Sequence, residues 1–284
     1  MTTAIPGVRL NDGTVIPAIG FGTSKVVGAD GEAVVRSAIE AGYRLIDSAM
    51  RYENEVEVGR GVAAAVADGV AAREELLVTS KLPGRDHGYD EARRSIDGSL
   101  ERLGLERIDV YLIHWPLPRL DRYVESWRAL IAARDDGQLG SIGVSNFTPA
   151  HLERIIGETG VVPAINQIQV SPILPRHEWR AAHAELGIVT ESWSPLGGRR
   201  GLGEDADAVF AQISDAHGVT PATAILRWHT QGGLVPLPKS SNAVRQAENL
   251  AAFGFDLTDD DLARIAALAK PVDPDFDPDT HEEF

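Results

Sequence analysis

Three polar residues close three successive apolar runs: Asp47 ends 43–47, Lys81 ends 76–81 and His114 ends 108–114. Their separations, 34 and 33 residues, each match about one strand–helix unit of an α/β chain. One such residue alone is explained as the first solvated group beyond a core. Three in succession converge on one mouth, and that points to chemistry. A lysine between apolar strands loses its proton unless a carboxylate holds it charged, and Asp47 is the available partner. A charged lysine beside a phenol favours the phenolate and lowers its pKa from about 10 toward the working range. Tyr52, five residues after Asp47, can reach back over the mouth. His114 can donate a hydrogen bond to a carbonyl oxygen without carrying charge. Together these groups would polarise a carbonyl and protonate the alkoxide formed when a hydride arrives.

Eight strands are expected to position them, at 18–22, 43–47, 76–81, 108–114, 141–145, 164–167, 188–193 and 234–238. The runs are apolar without alternation, as in parallel strands covered on both faces. Helical patterns lie between them at 30–41, 53–67, 89–103, 123–136, 149–156, 175–186, 221–230 and 243–252. Two more, at 206–217 and 259–269, stand outside the alternation. Thr148-Pro149, Thr220-Pro221 and Thr258 with Asp261 are helix-start signals. Asn11-Asp12-Gly13 between 8–10 and 15–16 is a hairpin turn. No Pro/Gly/Ser linker divides the chain. The expected fold is α/β: one (β/α)8 barrel domain over 1–284, with an N-terminal hairpin at 7–17, two extra helices and a tail at 271–284. A doubly wound nucleotide fold wants G-x-G-x-x-G after the first strand; Gly20-Phe21-Gly22 is not followed by the third glycine. Gly201-Leu202-Gly203 sits late and carries Glu204 and Asp205 where a pyrophosphate would lie, so it reads as a loop.

With 43% hydrophobic and 24% charged residues the composition is globular and excludes disordered and fibrous classes. Cysteine is absent, which removes disulfides, thiolate nucleophiles and Cys-ligated zinc and suits a reducing compartment. The remaining histidines show neither H-x-H nor H-E-x-x-H spacing, so no metal is expected. The opening MTTAIPGVRLNDG has no basic start and no apolar signal core, and no apolar run approaches a membrane span; the expectation is cytoplasmic, without membrane. A net charge of −15 repels phosphate backbones, so nucleic acid is not an expected partner. Residues 259–284 hold nine carboxylates against Arg264 and Lys270, which reads as a solvated helix and a flexible acidic tail. Trp127, Trp179 and Trp228 fall in helical patterns and are assigned to packing.

Taken with these residues, the stretches GYRLIDSAMRYENEVEVG (42–59), SKL (80–82), DVYLIHWP (109–116), GVSNF (143–147), INQIQ (165–169), SPLG (194–197) and PLPKS (236–240) resemble the aldo-keto reductase family. The match runs in order over nearly the whole chain and is similar to the bacterial 2,5-diketogluconate reductase branch, Glu191-Ser192-Trp193 included. The resemblance implies an NADPH-dependent carbonyl reductase, a monomer, with a catalytic tetrad of Asp47, Tyr52, Lys81 and His114 and Tyr52 as general acid. Tyr52, His114 and Trp115 would meet the substrate, with Trp115 as a wall of its pocket. Gly22, Thr23 and Asp47 would approach the nicotinamide end, Ser145, Asn146 and Gln167 would hold the carboxamide, and Trp193 would stack on the ring where many members carry Tyr. Ser194, Pro195, Leu196 and Gly197 resemble the loop passing the pyrophosphate. Lys239, Ser240 and Arg245, the last about two turns into the following segment, match the pocket for the 2′-phosphate; Glu248 and Asn249 would reach the adenine. Ser241 either joins that pocket or, with Asn242, caps the helix.

Two departures fall near the expected mouth. Ser171-Pro172 replaces a common His-Pro, and Leu82-Pro83 a common Leu-Trp. The short loop after Trp115 and the short segment after Lys270 imply an open mouth. Expected substrates are small aldehydes or ketones, among them keto-sugars such as 2,5-diketogluconate, α-keto esters and diketones. The competing readings are a Schiff-base lyase using Lys81, which needs that lysine neutral, and a non-catalytic NADPH-binding protein, which has no need of Tyr52.

Overall fold

A computed structural model of the chain describes residues 4–270 and 277–283. It starts with an antiparallel hairpin, β1 (Gly7–Arg9) and β2 (Val15–Pro17), in which Val8 lies opposite Ile16. Gly13, at φ +92°, makes the reversal possible, and the Leu10 amide donates to the Thr14 carbonyl at 2.8 Å. Leu10 and Ile16 are buried with Leu45, Val110, Leu112, Val235 and Leu237 from the large sheet. The hairpin also bonds to Pro163 and Ser141, near the starts of two strands, so it stoppers the N-terminal end.

The large sheet has eight parallel strands in sequential order: β3 (Phe21–Gly22), β4 (Leu45–Asp47), β5 (Leu77–Leu82), β6 (Ile108–Ile113), β7 (Leu139–Ser145), β8 (Ile165–Gln169), β9 (Val189–Trp193) and β10 (Val235–Pro236). The amides of Gly20 and Gly22 donate to the carbonyls of Pro236 and Pro238, both at 3.0 Å, and curl the last strand onto the first. This is the expected α/β barrel. β10 is shorter than the expected 234–238 because Pro236 and Pro238 have no N–H to offer a ladder. A β-carbon on Gly22 would lie 3.0 Å from the Leu237 carbonyl oxygen, a tight approach of backbone to backbone where the sheet closes.

The helices are α1 (Gly31–Ala41), α2 (Glu55–Ala67), α3 (Tyr89–Leu103), α4 (Tyr123–Asp135), α5 (Pro149–Thr159), α6 (His177–Leu186), α7 (Glu204–His217), α8 (Pro221–Gln231), α9 (Ala243–Leu250) and α10 (Asp259–Ala266). None of those in the described residues is long and apolar enough to cross a membrane. Thr148, Thr220 and Thr258 each accept the amide three residues on, as capping residues do. The extra helices are α7 and α10; Phe210, Ile213 and Ile265 pack with Ile225 of α8 into a satellite core. Trp127 is fully buried in the main core.

The described part of the C-terminal tail is mostly exposed but makes contacts that its sequence does not suggest. Residues 277–283 lie across the C-terminal end of the barrel. Asp279 Oδ1 is 3.2 Å from His151 Nε2, Glu282 Oε1 is 2.8 Å from Arg119 Nη1, and the His281 ring stands 4.0 Å from the Trp115 ring. Glu282 finds its countercharge on Arg119 and Asp279 approaches His151, both distant in sequence, which a local count of charge cannot register. Residues 271–276, with Asp273 and Asp275, and Phe284 lie outside the described residues, as do residues 1–3.

Candidate active site

Asp47 is the last residue of β4 and Lys81 the last but one of β5; both point into the barrel and are buried. Lys81 Nζ donates to Asp47 Oδ1 at 2.7 Å and to the Ser48 carbonyl at 2.8 Å. Behind Asp47, a single one-turn helix (Met50–Tyr52) folds the chain back over the strand ends and carries Tyr52. Lys81 Nζ lies 5.2 Å from the Tyr52 ring centroid. His114 follows β6, its amide donating to the Leu82 carbonyl, and its ring meets Tyr52 edge-on with centroids 5.8 Å apart. Thus the four candidate catalytic residues share one end of the barrel.

Burial opposes the charge on Lys81, but Asp47 and Tyr52 outweigh it and hold the ammonium above its ordinary pKa. A lysine kept protonated has no lone pair for a Schiff base. For Tyr52 the balance differs from the sequence expectation. Burial raises its pKa more than the Lys81 charge lowers it, so the phenol stands above 10 rather than below. A phenol in that state keeps its proton at neutral pH and has one to give.

Beneath the pair lies a carboxylate that the sequence reading did not place in the site. Gln167 Nε2 donates to Asp47 Oδ1 and to Glu191 Oε2, both at 2.9 Å. Burial and the nearby Asp47 push Glu191 up to about 7. Its sequence signals are an acid inside an expected strand and its place in the Glu191-Ser192-Trp193 stretch.

A cavity of about 560 Å³ opens above these groups, lined by Gly22, Asp47, Tyr52, His114, Trp115 and Gln167 among others. Ser145, Asn146, Trp193, Ser194, Pro195, Leu196 and Lys239 complete much of its wall. A second cavity, about 580 Å³, takes in Ser240, Ser241, Arg245, Glu248 and Asn249 and shares Leu196 and Lys239 with the first. The two cavities meet at Leu196 and Lys239, between the tetrad and the start of α9, a lining suited to a dinucleotide with its phosphate-bearing end at Lys239 and Arg245.

Local geometry supports this fit. Asn146 and Ser194 hold positive φ, +63° and +49°, which non-glycine residues adopt only when the surroundings hold them there. Asn146 Nδ2 donates to the His114 carbonyl at 3.1 Å, and its Oδ1 accepts the Trp193 indole N–H at 2.8 Å. Ser145 Oγ donates to the Gln167 carbonyl at 2.8 Å. The indole is thereby pinned as a platform beside the tetrad.

Several expected contacts fall elsewhere. Thr23 is fully buried and donates its hydroxyl to the Asp47 carbonyl at 2.9 Å, so it supports the strand end instead of lining the cavity. Gly197 also stands back, while its neighbour Gly198 lines the wall. Asn242 caps α9, accepting the Arg245 amide at 3.1 Å; Ser241 accepts from Lys239 Nζ at 2.8 Å and is not the cap. Arg245 lies in the first turn of α9, not two turns in, because the helix begins only at Ala243. Neither Ser171 nor Pro83 lines the first cavity. Ser24, Lys25, Leu237, Pro238 and Glu283 do, and were not anticipated.

Between residues 18 and 270 the chain matches the Aldo/keto reductase family. It is 49% identical over 280 residues to 2,5-diketo-D-gluconic acid reductase B of Corynebacterium sp., covering 99% of each chain. Against methylglyoxal reductase DkgA of Salmonella typhimurium the identity is 43% over 275 residues, 95% of this chain and 96% of the other. The crystal structure of a Bombyx mori aldo-keto reductase in complex with NADP is similar at a TM-score of 0.87 and 35% identity, over 94% of both chains.

Proposed function

The chain belongs to the aldo/keto reductase family, an NADP-dependent oxidoreductase acting on carbonyl groups, and from that premise we propose that it reduces small aldehydes or ketones to alcohols with NADPH, using Tyr52 as the proton donor. The observation that carries this reading is the Lys81–Asp47 contact of 2.7 Å set directly beneath the Tyr52 phenol and facing His114 across one cavity.

When bound, NADPH supplies a hydride to the carbonyl carbon. The chain's own groups do the rest. His114 and the Tyr52 hydroxyl orient the carbonyl oxygen, and Tyr52 gives up its proton as negative charge grows there. Lys81 stabilises the phenolate left behind, and Asp47 keeps Lys81 charged. Trp193 offers its face to the nicotinamide ring, with Ser145, Asn146 and Gln167 beside its carboxamide. Gly22 and Asp47 approach the same end. Ser194, Pro195 and Leu196 pass the pyrophosphate, while Lys239, Ser240, Ser241 and Arg245 meet the 2′-phosphate and Glu248 and Asn249 the adenine. Trp115 walls the substrate. The same reading makes the enzyme a monomer of the cytoplasm, needing no metal.

Keto-sugars such as 2,5-diketogluconate, α-keto esters and diketones are the substrate classes proposed, supported by the names of two relatives, a diketogluconate and a methylglyoxal reductase. The test is NADPH oxidation, followed at 340 nm, across a panel of aldehydes, α-keto esters, diketones and keto-sugars. Saturable turnover with one or more classes is expected; a panel with none would contradict the reading.

A further inference from the structure

Glu283, the last described residue, occupies a position that the tetrad does not explain. Its Oε1 is 3.0 Å from His114 Nδ1, and its side chain is only 10% exposed within the wall of the tetrad's cavity. The segment that brings it there is anchored at Arg119, His151 and Trp115, and its backbone presses against the turn after β5. A β-carbon on Gly84 would collide with the Glu283 carbonyl, so that turn admits the tail only because it carries glycine. The second carboxylate oxygen, Oε2, is buried with no hydrogen-bond partner among the described residues. Burial opposes its charge, but His114, Arg51 and His281 together hold its carboxyl below the ordinary value, so it is an anion at neutral pH.

Resting on the reductase reading above, we propose that Glu283 is a specificity residue: its carboxylate, seated on His114, disfavours carbonyl substrates that carry a carboxylate next to the reacting group and favours neutral ones, above all those with a hydroxyl beside the carbonyl. A substrate anion entering this cavity would face a fixed, poorly solvated negative charge, where water screens little. The positive charge of Arg51 nearby already acts on Glu283 and is not left to attract a second anion. A neutral substrate meets no such repulsion, and a hydroxyl next to its carbonyl could satisfy the unpartnered Oε2. Among the classes proposed, this ranks α-keto esters, diketones and neutral keto-sugars above sugar acids such as 2,5-diketogluconate wherever the carbonyl reduced is the one beside the carboxylate.

Methyl phenylglyoxylate and phenylglyoxylate share a skeleton and differ in charge. The ratio of their kcat/KM values, acid over ester, is compared in the parent enzyme, Glu283→Gln and Glu283→Asp. Comparing ratios removes the intrinsic difference in carbonyl reactivity. The ratio is expected to rise at least roughly tenfold in Glu283→Gln, because a like-charge contact near a protein surface repels by more than the about 1.4 kcal/mol that a tenfold change represents, and to stay near the parent value in Glu283→Asp. A ratio within twofold of the parent in Glu283→Gln, or an equal rise in Glu283→Asp, would overturn the proposal while ester turnover left the reductase reading standing. A parent enzyme that oxidises no NADPH with the ester would overturn the proposal, whereas the reductase reading falls only with the whole carbonyl panel.

Discussion

Inside the barrel one amide group divides its two hydrogens between two carboxylates, Asp47 and Glu191. Asp47 also has Lys81, a buried ion pair in which each partner keeps the other charged. Among the described residues Glu191 has no such cation in contact and one of its oxygens is buried without a hydrogen-bond partner, so it resists ionisation until the pH reaches about 7. The sign of its effect on stability follows. The folded protein holds this proton more tightly than the unfolded chain does, so the contribution is complete below about pH 4.5 and is lost as pH rises through about 7. Over that window the loss is on the order of 3 kcal/mol. Glu191→Gln cannot ionise and should escape it. Thermal melts from pH 5 to 8 are expected to show the variant gaining on the parent as pH increases. Parallel melting curves would show that Glu191 is already ionised in the fold.

Helices and strands are legible in the sequence to different degrees, and the reasons are physical. Where a capping threonine precedes proline, as at Thr148 and Thr220, the start of the helix was legible because both residues act locally. Strand ends were legible too, since Asp47, Lys81 and His114 interrupt apolar runs. The tail was not. Its order comes from Arg119, His151 and Trp115, and no pattern within 277–283 encodes them. Thr23 and Ser241 illustrate a related limit: a hydroxyl near a site supports it or lines it, and only geometry decides. The start of α9 is the element with the clearest consequence. Lys239 and Arg245 flank it beside the second cavity, with Asn242 capping it between them. Each charge-assisted hydrogen bond to a 2′-phosphate is worth about 1.5–3 kcal/mol, so Lys239→Ala and Arg245→Ala should each weaken NADPH binding by roughly ten- to a hundredfold. NADH, with a hydroxyl at that position, should be affected much less. Fluorescence titration with both nucleotides checks this; equal losses would mean that the two side chains support the helix start and do not read the phosphate.

At the scale of the molecule, the closed sheet makes one end of the barrel available for chemistry. The hairpin stoppers the other. Closure gathers residues spread from 22 to 283 around a single mouth, a convergence implied by evenly spaced strand ends but measurable only in the folded chain. The net charge of −15 adds a constraint: a phosphate-bearing cofactor must be drawn to this protein by local cations against an adverse overall field. The central claim is that the barrel places a protonated Tyr52 where the carbonyl oxygen must lie. Single-turnover reduction of a neutral aldehyde by the NADPH-loaded Tyr52→Phe enzyme tests it most directly, because that substitution removes the proton and little else. The account predicts a hydride step slowed by roughly 10²–10⁴-fold with NADPH affinity nearly unchanged; a step that keeps most of its parent rate would contradict it.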